Sequence, residues 1–415
     1  MSSGAPPTAT PTGLLAPLAF SHFRFALGSR LLALTGTASQ AVTLALLTLD
    51  ATGLPSGWGT LLTVQAIPQV LLLLVAGIAV DRFRAIPVLV ASNCVQAAAL
   101  LPIVVLAALD PLAIELWHLY VYAVVSGIGA ALFAPAAQSL VPDLVPAGLI
   151  RSANALWLLA FHLSRFVGPP LAASVAAAAG HAPALAAAVV LFAAGTALLL
   201  PIRLDAPHRP SRESALRQIA EGFQAARRDP ALLSILVSAA VYNFGAAGAT
   251  IVGLPSLAKL ALDAGDQGVG ILFAALAAGA LVGIGITGSV AQLPRQGVVG
   301  SLTNLGMGTA LALVGLVPTL WAAVPLLVIA GAFSSAGGVI FLTLTQARAP
   351  AELRGRVMSL LSLGLFGLTP LAYGLGGLLG DVLGPRGILV AGGAVVFMTG
   401  VLLLTLRPIR EIGTH

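Results

Sequence analysis

One cysteine stands in the 415 residues, so no disulfide can form within the chain and no cysteine cluster can hold a metal. Charge is scarce too: Asp, Glu, Lys and Arg make up 8% of the residues against 58% hydrophobic ones, and mean hydropathy is +1.02. That much apolar surface exceeds what one water-soluble core of this length can hide, which excludes a soluble globular protein. The formal charge of +6 would suit nucleic acid, but the basic residues are scattered through short loops rather than gathered with aromatics, which argues against that partner. There is no glycine-lysine-serine/threonine phosphate loop and no nucleophile–base triad, so ATP hydrolysis and covalent catalysis are not expected. No catalytic residue, metal or cofactor is assigned. Acids are also missing from the centres of the apolar runs. Asp50, Asp110, Glu115, Asp263, Asp266 and Asp381 sit near one end of them, and Asp81, Asp143 and Glu352 near the other. A cationic solute would lack a buried counter-ion, which favours a neutral or anionic one.

What the chain does contain is apolar runs long enough, at about 20 residues, to cross a bilayer. Twelve are marked off by polar turns, the first over 24–49 and the last over 386–406. Seventeen arginines fall in alternate turns and in the ends, while Lys259 and Arg386 fall in the others, with Arg165 inside a run. Basic residues in short loops stay on the cytoplasmic side, so both ends are expected in the cytoplasm, of a bacterial inner membrane. The expected organisation is a cytoplasmic tail over 1–23, a six-helix bundle over 24–202, a cytoplasmic linker over 203–230, a second six-helix bundle over 231–406 and a short tail over 407–415. In the linker, Leu216, Ile219 and Phe223 fall at helical spacing with Arg217, Glu221 and Arg228 around the other side, which predicts an amphipathic helix on the inner membrane surface. Cys94, inside an apolar run, is expected to be a small buried side chain.

The two bundles look duplicated. Ser126, Gly129, Phe133, Gln138 and Pro142 recur as Ser334, Gly337, Phe341, Gln346 and Pro350, each pair 208 positions apart. A repeat of this kind predicts two pseudo-symmetric halves around a central pathway. Many of the 46 glycines lie within runs, where small residues let helices approach closely.

After the second run comes Gly77-Ile78-Ala79-Val80-Asp81-Arg82-Phe83-Arg84. Gly77, Asp81 and Arg82, with Leu89 beyond, resemble the loop signature of the major facilitator superfamily, although Arg84 replaces its second glycine and Ala85 and Ile86 its basic pair. The turn after the eighth run repeats the spacing as Gly288, Gln292 and Arg295, with an amide in place of the acid. The resemblance implies a latch in which Asp81 meets the start of the eleventh helix, where Arg354 and Arg356 lie; Gly77, Arg82 and Arg84 belong to the same latch. The fourth run, ending Ser126-Gly127-Ile128-Gly129-Ala130-Ala131, resembles a second superfamily motif, with Ala123 where proton-coupled members carry arginine. Val141 to Pro146 and Glu352 to Ser359 resemble the enterobactin-exporter-like branch of that superfamily.

In the fifth run, Arg165 would cost about 2.5 kcal/mol or more in hydrocarbon, so it should face protein, water or a partner. His162 lies three residues earlier on a similar helical face. These two are the leading pathway candidates. The resembled architecture puts Gln40, Gln65, Gln69 and Asn243 next among cavity residues. The expected function is secondary-active export of a small, largely apolar or anionic solute, drug-like or siderophore-like, by alternating access. The resemblance implies coupling to protons and a monomer surrounded by membrane lipid. An uptake carrier of the same fold, and a non-transporting receptor or scaffold, are the alternatives.

Overall fold

A computed structural model describes residues 13, 15–109, 114–203, 215–289, 295–350 and 353–412, without side-chain detail for 73–83, 151, 215–219 and 288–289. Among these residues every regular element is helical. The first half holds α1 (Ser21–Thr52), α2 (Pro55–Phe83), α3 (Ala85–Leu109), α4 (Leu116–Leu144), α5 (Ile150–Ala179) and α6 (His181–Leu199). A linker helix α7 (Ala215–Arg228) leads to α8 (Pro230–Ala261), α9 (Gly265–Ser289), α10 (Gln296–Leu316), α11 (Leu320–Arg348), α12 (Arg354–Gly367), α13 (Thr369–Thr405) and a short α14 (Arg407–Arg410). Ten helices among the described residues are long and apolar enough to span a membrane. Two more passes complete the set. The 29-residue α2 is one. The other arises because the 52-residue stretch Arg354–Thr405 turns back at Gly384, whose φ of 74° suits glycine, so it crosses twice. Twelve passes leave both described ends on one face, called here the terminus face; the opposite is the far face.

Apolar side chains dominate these helices on all sides, as lipid-facing bundles require. Within the first half α1 packs on α5 and α6, α2 on α4, and α3 on α4 and α6; within the second, α9 packs on α11, α10 on α11 and α13, and α8 on α12 and α13. The halves meet chiefly where α2 lies along α13 and α5 along α9. Small residues permit that approach. A Cβ on Gly377 would stand 2.9 Å from Ser56 Cα, and one on Gly59 2.6 Å from the Tyr373 carbonyl oxygen, both backbone atoms that cannot give way.

The buried clusters show which way the molecule is open. Toward the far face one core takes residues from both halves, among them Leu46 and Ala173 from the first and Leu257 and Leu272 from the second. Toward the terminus face the cores are separate: Phe23, Leu140 and Trp157 in one half, Ile235, Leu344 and Leu403 in the other. The halves therefore close at the far face and part toward the terminus face.

One expectation changes. Cys94 is exposed on α3, because the membrane and not the protein interior is the apolar solvent on that side. In α7, Gly222, Ala225 and Ala226 form the buried stripe, and Gly222 lies against the Arg356 backbone. Phe223 is 46% exposed, with the Arg227 guanidinium 5.7 Å from its ring centroid. The small-residue stripe takes the protein contact, and the phenylalanine is left pointing outward.

Candidate functional site

Between the halves lies a cavity of about 600 Å³. Its far end is closed by Trp58, 3% exposed, and Leu62, 6% exposed, while Gln69, Gln138, Ser359 and Ser362 on the terminus side are open. Trp58 is fixed across the halves: its Nε1–H donates to the Ile251 carbonyl at 2.9 Å. Ile251 lies in a π-helical stretch of α8, Gly248–Gly253, one of two wide turns in that helix. Wide turns of this kind re-aim carbonyls and often mark functional positions. Two more bonds reinforce the closure. The Ser56 backbone N–H donates to Asp381 Oδ1 at 3.0 Å, and Thr63 Oγ1 donates to the Pro370 carbonyl at 3.0 Å.

Arg165 projects into this cavity from the middle of α5 and is exposed to it. Local sequence explains its placing. Pro169 and Pro170 follow it within the helix and remove the backbone donors that would pair with the carbonyls of Arg165 and Phe166. One turn on, Ser39 Oγ donates to the Gly168 carbonyl at 3.1 Å, tying α5 to α1. The guanidinium carbon stands 5.3 Å from the Phe161 ring centroid. Among the described residues that line the cavity there is no Asp, Glu, Lys or His, so Arg165 is its one permanent charge. The rest of the wall is mostly aromatic or aliphatic, with Trp58, Phe161, Phe273, Phe366 and Tyr373, and carries the neutral amides Gln65, Gln69 and Gln138 and the hydroxyls of Thr37, Ser164, Ser359, Ser362 and Thr369.

The other expected site residues divide. Gln65 and Gln69 line the cavity with Arg165. Gln65 Nε2 also donates to Ser126 Oγ at 3.0 Å, so one face of this amide is held by the bundle. Gln40 does not reach the cavity: it is 2% exposed, and its Nε2 donates to Gln96 Oε1 at 3.3 Å, tying α1 to α3. Asn243 donates to the Leu365 carbonyl and ties α8 to α12. His162 lies outside the cavity wall, its ring edge-on to Phe161 at 5.4 Å. A spacing of three residues turns it about 60° away from Arg165, enough to put Phe161 in the wall instead. Trp58, Tyr373, Gln138 and Ser362 were not expected there.

Of the latch residues, the side chains of Gly77, Asp81 and Arg82 lie outside the described residues. Arg84 is exposed on the α2–α3 turn. Arg356 pairs with Glu221 of the linker helix, and Arg354 is exposed at the start of α12. Ala123 is fully buried among Leu119, Tyr122 and other apolar side chains and does not itself line the cavity.

Comparison with other proteins bears on the family and the fold. The enterobactin exporter EntS of Shigella boydii serotype 18 is 28% identical over 296 residues, 70% of this chain and 69% of that one. The enterobactin exporter EntS of Escherichia coli O1:K1 is 28% identical over 295 residues, with the same coverage. A bacterial homologue of the iron transporter ferroportin, solved in an inward-facing state, superposes with a TM-score of 0.74 at 16% identity, over 92% of this chain and 98% of that one. A bacterial homologue of the human lysosomal transporter Spinster gives a TM-score of 0.65 at 16% identity, over 99% and 98%. Residues 26–369 match the Major Facilitator Superfamily, and the chain belongs to that family of multi-pass membrane transporters.

Proposed function

We propose that the protein exports a small solute with an apolar or aromatic body and an anionic group, taking it from the cytoplasm into the central cavity. The observation that carries this is Arg165, a cation in a cavity whose described wall offers no carboxylate. A charge that faces a mostly apolar cavity without a counter-ion is costly, and a bound anion offsets that cost. The aromatic wall suits the rest of such a solute. The arginine count supports a cytoplasmic terminus face, and on that reading the conformation described here is the loading state. Outward movement is supported by the name of the curated relatives, enterobactin exporter. The energy source is the proton gradient, as the family resemblance implies, and the working unit is a monomer. Ala123 and the absence of a titratable acid from the described wall mean that the proton acts at another group.

The test is transport into inverted membrane vesicles or proteoliposomes under an imposed pH gradient, with a panel of anionic, neutral and cationic siderophore-like and drug-like solutes. Anionic solutes should accumulate in the wild type. Arg165→Ala should lose that flux by about tenfold or more with normal insertion, since one lost charged contact is worth about 1.5–3 kcal/mol. Equal flux in wild type and Arg165→Ala, or a preference for cations, overturns the reading.

A further inference from the structure

At the far face, four charged or chargeable side chains from both halves meet. Asp50 near the end of α1 and His181 at the start of α6 belong to the first half; Lys259 near the end of α8 and Asp266 at the start of α9 belong to the second. Lys259 Nζ contacts Asp50 and lies 2.8 Å from Asp266 Oδ1. His181 Nε2 lies 3.4 Å from Asp50 Oδ2 and 3.6 Å from Asp266 Oδ2, within ion-pair reach but long for a neutral hydrogen bond. The Lys259, Asp266 and His181 side chains are 12%, 18% and 20% exposed, so solvent screens them only in part. Two of these contacts, Lys259 to Asp50 and His181 to Asp266, cross from one half to the other. Any motion that opens the far face must separate them.

The charge balance gives the cluster its direction. Two carboxylates and one ammonium leave a surplus negative charge when the imidazole is neutral and none when it is protonated. Histidine is the side chain whose charge ordinarily changes between pH 5 and 8. We propose that this cluster is a proton-sensitive lock, in which protonation of His181 cancels the surplus carboxylate charge and holds the far face shut. Acid on that side then favours the conformation described here. The sign follows from charge: contacts with two carboxylates favour the imidazolium over the neutral ring. The helices packed on α6 add little else: α3 and α5 carry no charged side chain at this end among the described residues, and Asp263 on the α8–α9 turn is exposed. The lock stands on the far-face geometry alone and is independent of what Arg165 binds.

The lock is tested with spin labels at Leu54→Cys and Val382→Cys, which are exposed positions, 50% and 80%, on opposite halves at this face. Cys94→Ala removes the native thiol, and the labelled protein is reconstituted in lipid nanodiscs for dipolar distance measurement between pH 8 and pH 5.5. The ratio of short-distance to long-distance populations should rise about fivefold on acidification, the low end of typical coupling between a binding event and a two-state equilibrium. His181→Gln and His181→Asn should each flatten that response, and Lys259→Ala should lower the short-distance population at every pH. A flat wild-type profile, or an unchanged pH response in either histidine variant, overturns the proposal.

Discussion

Arg84 and Arg295 hold the same left-handed backbone, with φ of 67° and 50°, at the matching turns α2–α3 and α9–α10. These turns repeat the spacing Gly77, Asp81, Arg84 and Gly288, Gln292, Arg295, so the duplication extends from residue type to backbone conformation. For a residue with a Cβ that conformation costs about 1–2 kcal/mol.

Arg295→Gly should therefore stabilise the protein by about 0.5–1 kcal/mol, because the relieved strain exceeds the extra backbone freedom that glycine brings to the unfolded chain. Thermal unfolding in detergent should show a higher Tm. A lower one would mean that the side chain makes a contribution larger than the strain.

Trp58→Phe keeps the aromatic lid but deletes the N–H that reaches the Ile251 carbonyl. A neutral hydrogen bond contributes about 1 kcal/mol, so the far-closed population should fall about fivefold relative to the far-open one. Labelling of a cysteine at Leu62, 6% exposed in the closed form, by a reagent confined to the far side reports this directly. Unchanged labelling would show that the bond does not hold the closure.

Asp229 caps α8 by accepting from the backbone N–H groups of Ala231 and Leu232, and it pairs with Arg348 at 2.8 Å. Partial burial raises its pKa, but the Arg348 hydrogen bond and the backbone donors outweigh this and hold it below the ordinary carboxylate value. A depressed folded-state pKa contributes stability that is present above about pH 3.9 and lost as pH falls below it. Asp229→Ala should cost about 1 kcal/mol at pH 7 and progressively less below pH 4. A penalty that does not change with pH would assign the loss to packing instead of charge.

Much of this was legible in the sequence. The passes follow from apolar length, and their pairing into halves follows from the repeat that joins Ser126 to Ser334. Arg165 stood out because a cation in an apolar run must find water or a partner, and it does so in the cavity. What the sequence left open depends on rotation about a helix axis and on contacts between distant segments. His162 and Arg165 are three residues apart, yet one faces the cavity and the other does not. Gln40 and Asn243 are polar residues of the kind a cavity uses, and both serve as ties between helices. Trp58 joins the site only through its partner, a π-helical carbonyl 193 positions away. Gln138 did carry a signal, as a polar member of the repeated pattern.

The direct test of alternating access uses a close approach of the halves. A cysteine pair at Ser56 and Asp381, with Cys94→Ala, would bridge α2 and α13 at the far face, where the Ser56 backbone N–H donates to Asp381 Oδ1 at 3.0 Å. Flux of the transported anion is measured in proteoliposomes before oxidation, after it and after reduction. The oxidised protein should carry no solute and reduction should restore flux; undiminished flux in fully cross-linked protein would rule out alternating access by these halves.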